Sequence, residues 1–481
     1  MAMQSEVPET WRPSLRRLLE RPAGVFWVFL AIYLFTWPGH YTSGDGAVKV
    51  DWARGLLFRG SSRLDPALKI PEEYSFYPIG HTLLAMPALA TSHLTQKVLG
   101  FRCEAALYTL LFVVNGALLL YLMARYLWPI YGPRRSWITL GILGLGTIWW
   151  PYTKVDMTEP LLLTTLFGGF LLLRSGRPFL GMLVAGFGWT LRPEAVLLIS
   201  LLGLWHLWRS RVWRDVLAMG MALVPAVVLN AAANWIRWGK LFGFEGGYGV
   251  DAPGFDYPFV AGLYGLLLSP GKSLFLFSPP LLLGFLGWNR FRMRSATASD
   301  AWFFAGVFVV SVGLYSKWWD WASDDAWGVR FLIPGVMLMS LPVAEMLHRR
   351  LLTGILFGVG ILVQSLAVVL PPLEYVVMVH DCPSSKPAVH RKGEPRQLDL
   401  EDAWYHPRYG QLPGHWTLLR VMVGIPPAPQ SERQTRFTGL SLYECFPPEH
   451  WKAHAKPDFI WWRLVEKIRG ANRVAAMDGD L

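Results

Sequence analysis

The chain has 481 residues, is 53% hydrophobic and 14% aromatic, and carries a formal net charge of +11 with a positive mean hydropathy. Apolarity of this degree, gathered into long uncharged runs, excludes a soluble domain of this size. The basic residues are scattered over short loops between those runs, with no basic stripe, which excludes a nucleic-acid-binding face.

At the N-terminus, Arg12, Arg16, Arg17 and Arg21 precede the apolar run Gly24 to Trp37. No small-residue cleavage site follows, so the run reads as an uncleaved first span, near 24–40. Residues 41–103 form a first extracytoplasmic loop. Within it, Tyr77 to Leu94 is apolar but holds Pro78, Gly80, His81, Pro87 and His93. If it crossed, Arg134 and Arg135 would fall outside and Asp156 inside, so an interfacial helix is expected there. Further spans are expected near 104–127, 136–151, 158–173, 178–191, 194–208, 214–235, 272–288, 300–316, 330–347 and 351–371. That makes about eleven in all, several shorter than the roughly 20 residues of a straight crossing. Short or Pro-broken spans are tolerated where they pack against protein or line a cavity.

This arrangement puts the arginine-rich loops inside: Arg134 and Arg135, Arg174 and Arg177, Arg209, Arg211 and Arg214, Arg290, Arg292 and Arg294, Arg349 and Arg350. The bias sets a cytoplasmic N-terminus in a multi-pass protein of the cell membrane. Most acids fall outside, which places the chemistry on the extracytoplasmic face. Residues 1–372 are therefore expected to form a transmembrane domain, and 373–481 an extracytoplasmic tail or small domain. Of three cysteines, Cys382 and Cys445 lie in that tail. They form one disulfide or stay as two thiols.

Five stretches carry chemistry. Thr42-Ser43-Gly44-Asp45-Gly46 follows the first span, and its glycines allow a tight turn presenting the Asp45 carboxylate as general base or metal ligand; a solvated turn aspartate is the alternative. In Lys154-Val155-Asp156-Met157-Thr158-Glu159-Pro160, Asp156 and Glu159 are three apart and meet on a helix. They hold a divalent cation or simply favour the N-terminus of the next helix. Arg192-Pro193-Glu194 interrupts an apolar run; Arg192 faces a phosphate or pairs with Glu194. The loop Gly239 to Tyr257, with Glu245, leads to Ser269-Pro270-Gly271-Lys272-Ser273. The latter lacks P-loop spacing, so nucleotide binding is excluded, while a backbone nest with Lys272 suits a lipid phosphate; a re-entrant connection is the alternative. Finally, Trp318 to Arg330 interleaves Asp320, Asp324 and Asp325 with four tryptophans. Carboxylates bind sugar hydroxyls and indoles stack on sugar rings, whereas an interfacial belt explains the tryptophans alone.

The order of these features resembles the GT-C-type membrane glycosyltransferases, the superfamily of protein O-mannosyltransferases and aminoarabinose transferase. The matching elements are a basic N-terminus, one span, a loop acid (Asp45), an aromatic–Pro stretch (Tyr77-Pro78-Ile79-Gly80), an acid pair (Asp156, Glu159) and Arg192 to Glu194, all within residues 20–350. The resemblance implies an all-α GT-C-like bundle and a polyprenyl-phosphate sugar donor. It also implies Asp45 as the base, with Asp156 and Glu159 holding a metal or positioning the acceptor. Two departures stand out: Asp45 is followed by Gly46 where many members have paired acids, and Tyr77-Pro78-Ile79 replaces a Lys-Pro-Pro segment. The phosphate-binding group therefore falls among Lys49, His81, Lys154, Arg192 and Lys272. Glu245, Trp319, Asp320, Asp324, Asp325 and Arg330 are expected to bind the sugar or acceptor.

The function read from the sequence is sugar transfer, with inversion, from such a lipid donor to an extracytoplasmic glycan, lipid or protein. The rivals are a lipid or sugar transporter and a non-catalytic assembly subunit. A transporter would place ionisable groups near mid-membrane and on both sides of a gate.

Overall fold

The computed structural model describes residues 20–70, 72–241, 254–323, 326–375, 404–405, 407, 410–425 and 448–467. Glu245, Asp324, Asp325, Cys382 and Cys445 lie outside the described residues. Within them the chain is helical, with one isolated bridge, Arg63 to Tyr74, and no strand.

Helix α1 spans Pro22–Phe35 and α2 Gly44–Arg54. The expected interfacial segment is α3, Ile79–Leu99, which packs on α2. Four helices are long and apolar enough to cross a membrane, and α3 is not among them: Glu104–Gly146 (α4), Asp215–Trp238 (α8), Ala298–Tyr315 (α11) and Arg350–Val369 (α13). The others are α5 (Thr158–Arg174), α6 (Pro178–Leu191), α7 (Ala195–Ser210), α9 (Phe259–Leu268), α10 (Leu281–Met293) and α12 (Ile333–Ser340). In the C-terminal part, α14 is Gln411–Met422 and α15 is Pro448–His454. Each expected span thus has a helical counterpart.

The 43 residues of α4 contain two helices. Gly132 adopts φ 73°, ψ 171°, and Pro129 and Pro133 flank it. A left-handed φ costs glycine little, and the prolines remove helix hydrogen bonds. A Cβ on Gly144 would touch Leu120, and each lies twelve positions from Gly132, so the chain folds back there as a tight hairpin. The separate spans expected at 104–127 and 136–151 are its two arms. Helix α1 packs against it, with the Tyr33 hydroxyl donating to the Gly144 carbonyl at 3.0 Å.

Charges sort to opposite ends of the bundle. At one end Arg174 meets Asp300 (2.9 Å), Arg294 meets Glu345 (2.9 Å), and the Tyr131 hydroxyl donates to Glu345 (2.6 Å). This end carries the arginine-rich connections. The core beside it is aromatic: the Phe170 ring lies 5.5 Å from Phe303 and 5.2 Å from Phe304. The helices then alternate direction, so the connections 36–44, 153–157, 192–194, 316–330 and 370–375 converge at the other end. There the C-terminal segment returns. The Asp458 N–H donates to the Val369 carbonyl (2.8 Å) and the Ile460 N–H to the Trp37 carbonyl (2.9 Å).

Candidate active site

The site starts from how α2 begins. Ser43 is its N-cap, extended at φ −144°, and its hydroxyl accepts from the Gly46 N–H at 3.0 Å. Asp45 falls in the first turn, where the helix dipole favours an anion. The loop ahead is braced from outside. Thr42 and Ser43 hydroxyls donate to Asp156 Oδ1 at 2.7 and 2.6 Å, and the Asp156 N–H donates to the Thr42 hydroxyl at 3.0 Å. A Cβ on Gly46 would overlap the Asp156 carboxylate, so only glycine admits this approach. Burial pushes the Asp156 carboxyl up, beyond what the Ser43 and Thr42 hydroxyls offset.

A chain of alternating charge runs from Asp45. Lys49, one turn on in α2 and buried, places Nζ 4.0 Å from Asp45 Oδ2. Arg330 Nη1 stands 3.6 Å from the same oxygen. Arg330 Nε is 3.5 Å from Glu159 Oε1, and Arg192 Nη1 is 2.5 Å from that oxygen. Arg192 also binds Glu194, and its Nη2 donates to the Tyr315 hydroxyl at 3.2 Å. The order is therefore Lys49, Asp45, Arg330, Glu159, Arg192, Glu194, alternating in sign and neutral in sum. Pro193 makes the last part possible. It forces the preceding residue out of helical geometry, and Arg192 is extended at φ −148°, ψ 131°, turning its guanidinium toward α5 and α11.

The Asp45 side chain keeps 29% exposure, against 2% for Lys49, 8% for Arg330 and 2% for Glu159. It is thus the carboxylate of the group best placed to reach a substrate. Burial raises its pKa, but the Lys49 ammonium and then the Arg330 guanidinium outweigh this, and the carboxyl ends below its ordinary value. Burial likewise lowers the Lys49 ammonium. Tyr77 completes the corner: its ring lies under Lys49 Nζ at 4.2 Å, and its hydroxyl bonds Asp45. Beyond Arg192 lies a gap of about 10 Å³, lined by Leu162, Leu198, Leu314, Phe331 and Pro334 together with Glu159, Glu194 and Tyr315.

The expected residues divide. Asp45, Lys49, Glu159, Arg192 and Arg330 come together, with Asp156 bracing the loop. Arg330, expected to bind sugar or acceptor, stands beside Asp45. His81 is buried on the Tyr108 hydroxyl at 2.5 Å. Lys154 Nζ is enclosed by the Asp458 carboxylate (2.8 Å) and the Val368 carbonyl (3.0 Å). Lys272 Nζ donates to the Ala326 carbonyl (2.8 Å). Trp319 donates its N–H to the Gly254 carbonyl (3.0 Å), and Asp320 is buried in the same turn. Tyr315 and Asp458 escaped the sequence reading as site residues, and Tyr77 entered it only within the aromatic–Pro stretch. A tyrosine beside a proline, or in the last helical turn before a Ser-Lys, carries no distinguishing signal.

Asp156 and Glu159, the pair expected to hold a divalent metal, each keep one buried carboxylate oxygen, Oδ2 and Oε2, with no hydrogen-bond partner. Both arginines take Glu159 Oε1, two hydroxyls take Asp156 Oδ1, and among the described residues no three His, Cys, Asp or Glu gather to hold an ion. The acids meet guanidinium and hydroxyl groups in place of one another.

No protein-family model matches the chain, and no curated protein does. Two solved structures are similar in part. ArnT from Cupriavidus metallidurans in the apo state is 13% identical with a TM-score of 0.46, covering 68% of this chain and 59% of its own. The same protein bound to undecaprenyl phosphate is 15% identical with a TM-score of 0.41, covering 74% and 60%. This chain thus spans about 60% of the length of these structures. Neither likeness assigns a role to any residue here.

Proposed function

We propose that the chain is a membrane glycosyltransferase that moves a sugar, with inversion, from a polyprenyl-phosphate-type donor to an acceptor hydroxyl on the extracytoplasmic side. The observation that carries this reading is the partly exposed Asp45 carboxylate held between Lys49 and Arg330 at the head of a run of alternating charges. A carboxylate beside fixed cations suits a reaction that needs one base and one stabilised anionic leaving group.

In this reading the donor phosphate meets Arg192 and Arg330. The acceptor oxygen attacks the anomeric carbon from the face opposite the phosphate. The bond from that carbon to the phosphate oxygen breaks, polyprenyl phosphate leaves with the electron pair, and the acceptor proton passes to Asp45. No proton is needed by the leaving group, because the phosphate is stabilised by guanidinium charge. Donor binding also draws Arg330 toward the phosphate, weakening its hold on Asp45. The base thereby strengthens when the substrate is present. Asp156 acts through Thr42 and Ser43, fixing the loop that carries Asp45.

The test is transfer of radiolabelled polyprenyl-phosphate sugars by the purified protein in lipid, wild type beside Asp45→Asn. Turnover lost in a folded Asp45→Asn variant supports the enzyme and its base together. Donor binding without turnover in the wild type would favour a non-catalytic subunit instead.

A further inference from the structure

A second, larger cavity of about 510 Å³ lies at the same end of the bundle, and nothing in the mechanism above uses it. Its floor is the loop His40 to Gly44, the residues immediately before Asp45. One wall is Pro371 to Glu374, and the other is the returning C-terminal segment, including Ala453, His454 and Pro457. We propose that this cavity is the acceptor subsite and that it takes the sugar end of a glycan or glycolipid. The proposal rests on the glycosyltransferase reading and adds the chemical class of its acceptor.

Three observations support it. First, position: the floor residues Thr42 and Ser43 bond the Asp156 carboxylate, and Gly44 leads directly into the Asp45 turn. The lining stops at Gly44, one residue before Asp45, and includes neither Arg192 nor Arg330. An inverting displacement needs donor and acceptor on opposite faces of the transferred sugar, and a cavity apart from the two arginines meets that need.

Second, chemistry: the rim mixes hydrogen-bond donors and acceptors without a surplus of charge. His454 Nδ1 meets Glu374 Oε1 at 2.7 Å, and His40 Nε2 meets Asp458 Oδ1 at 2.7 Å. Proline faces lie between these pairs. A polyol with CH faces and hydroxyls that both donate and accept fits such a wall. A strong anion would want unopposed cations, and an acyl chain would want no carboxylates. Third, the wall is built into the fold. Asp458 N–H and Ile460 N–H bond backbone carbonyls of Val369 and Trp37, and the Trp461 indole donates to the Phe35 carbonyl at 2.8 Å. A volume of this size falls within the range of small-molecule sites, roughly 300–1,000 Å³.

The experiment fills the cavity with Ala453→Trp, an exposed position on its wall, and keeps Ala453→Ser as a folding control. Methyl glycosides of several common sugars are the probes, with binding read by saturation-transfer NMR on the protein in nanodiscs and transfer read with a radiolabelled polyprenyl-phosphate sugar. We expect Ala453→Trp to erase the glycoside signal and to raise the glycoside KM at least about tenfold, while the donor Kd stays within about twofold, a tenfold change being about 1.4 kcal/mol. Glycoside signals of equal strength in wild type, Ala453→Ser and Ala453→Trp would overturn the subsite, as would their absence in all three. Loss of the signal in Ala453→Trp by a wild type that never turns over the donor would keep the sugar site and sink the enzyme reading.

Discussion

Asp458 Oδ2 lies 2.8 Å from Lys154 Nζ, with both side chains almost wholly buried and 304 positions between them in the chain. This ion pair joins the C-terminal segment to the connection that carries Asp156. Asp458 also meets His40 (2.7 Å) and Arg463 (3.0 Å), so Lys154→Met leaves it partnered, whereas Asp458→Asn strands the buried Lys154 at about 3–5 kcal/mol. Asp458→Asn should undock residues 448–467, seen as faster amide exchange there and a lowered Tm, and Lys154→Met should do so less. Lys154→Met with Asp458→Leu should recover much of the loss in Asp458→Asn, because the buried Lys154 charge is then gone and Arg463 is exposed to solvent. Equal exchange in all variants would refute the clamp.

The same pair makes docking resistant to acid. Burial alone would push the Asp458 carboxyl up, but the Lys154 ammonium and His40 hold it well below the usual carboxylate range. A depressed folded pKa gives stability that is present above the unfolded value and lost only as the pH falls through the folded one. Exchange protection of residues 448–467 should therefore persist below the pH at which ordinary carboxylates protonate. Protection lost around their normal pKa would contradict this.

Asp45→Asn should lower transfer by about 10²–10⁴-fold, the range for removing a general base, with a lowered Tm because Lys49 and Arg330 lose a counter-ion. A fall under about threefold would move the base elsewhere.

The acid limb of activity should depend on the two cations beside Asp45. Lys49 and Arg330 hold its carboxyl below the ordinary value, so the base stays ionised to unusually low pH in the free protein. Arg330→Gln removes one restraint, and the acid limb of kcat/KM should move to higher pH. In the wild type the limb of kcat should lie at higher pH than that of kcat/KM, since the first reports the donor complex and the second the free protein. Coincident limbs would argue against donor-strengthened basicity.

Gly46→Ala places a Cβ against the Asp156 carboxylate. Overpacking of this kind costs about 1–3 kcal/mol, and here the strain falls on the loop holding the base. Both Tm and kcat should fall, whereas Gly44→Ala, which meets nothing within 4 Å, should leave Tm nearly unchanged.

Much of the architecture was legible because apolar runs and arginine-bearing loops report spans directly. The hairpin at Gly132 is an instance: Pro129, Gly132, Pro133 and the arginines after it mark a turn that a continuous helical ladder conceals. The acids were legible as a set, since ionisable groups at the ends of apolar runs need partners. Which partner each takes was not. Arg192 was expected to face a phosphate or to bind Glu194; it binds Glu194 and also Glu159, 33 positions away. Lys154 was matched with phosphate because its true partner sits in a distant segment with no local pattern. Tertiary closure decides such pairings, and no window of sequence contains both halves.

The clamp between Lys154 and Asp458 also bears on the order of synthesis. The membrane helices leave the ribosome long before Asp458 does, so for most of translation Lys154 has no counter-ion and the wall beside Asp45 is missing. The catalytic end can be finished only when the late segment arrives and locks. A nascent or prematurely ended chain would carry its membrane helices without the segment that pairs Lys154, and on the proposed reading it should transfer no sugar.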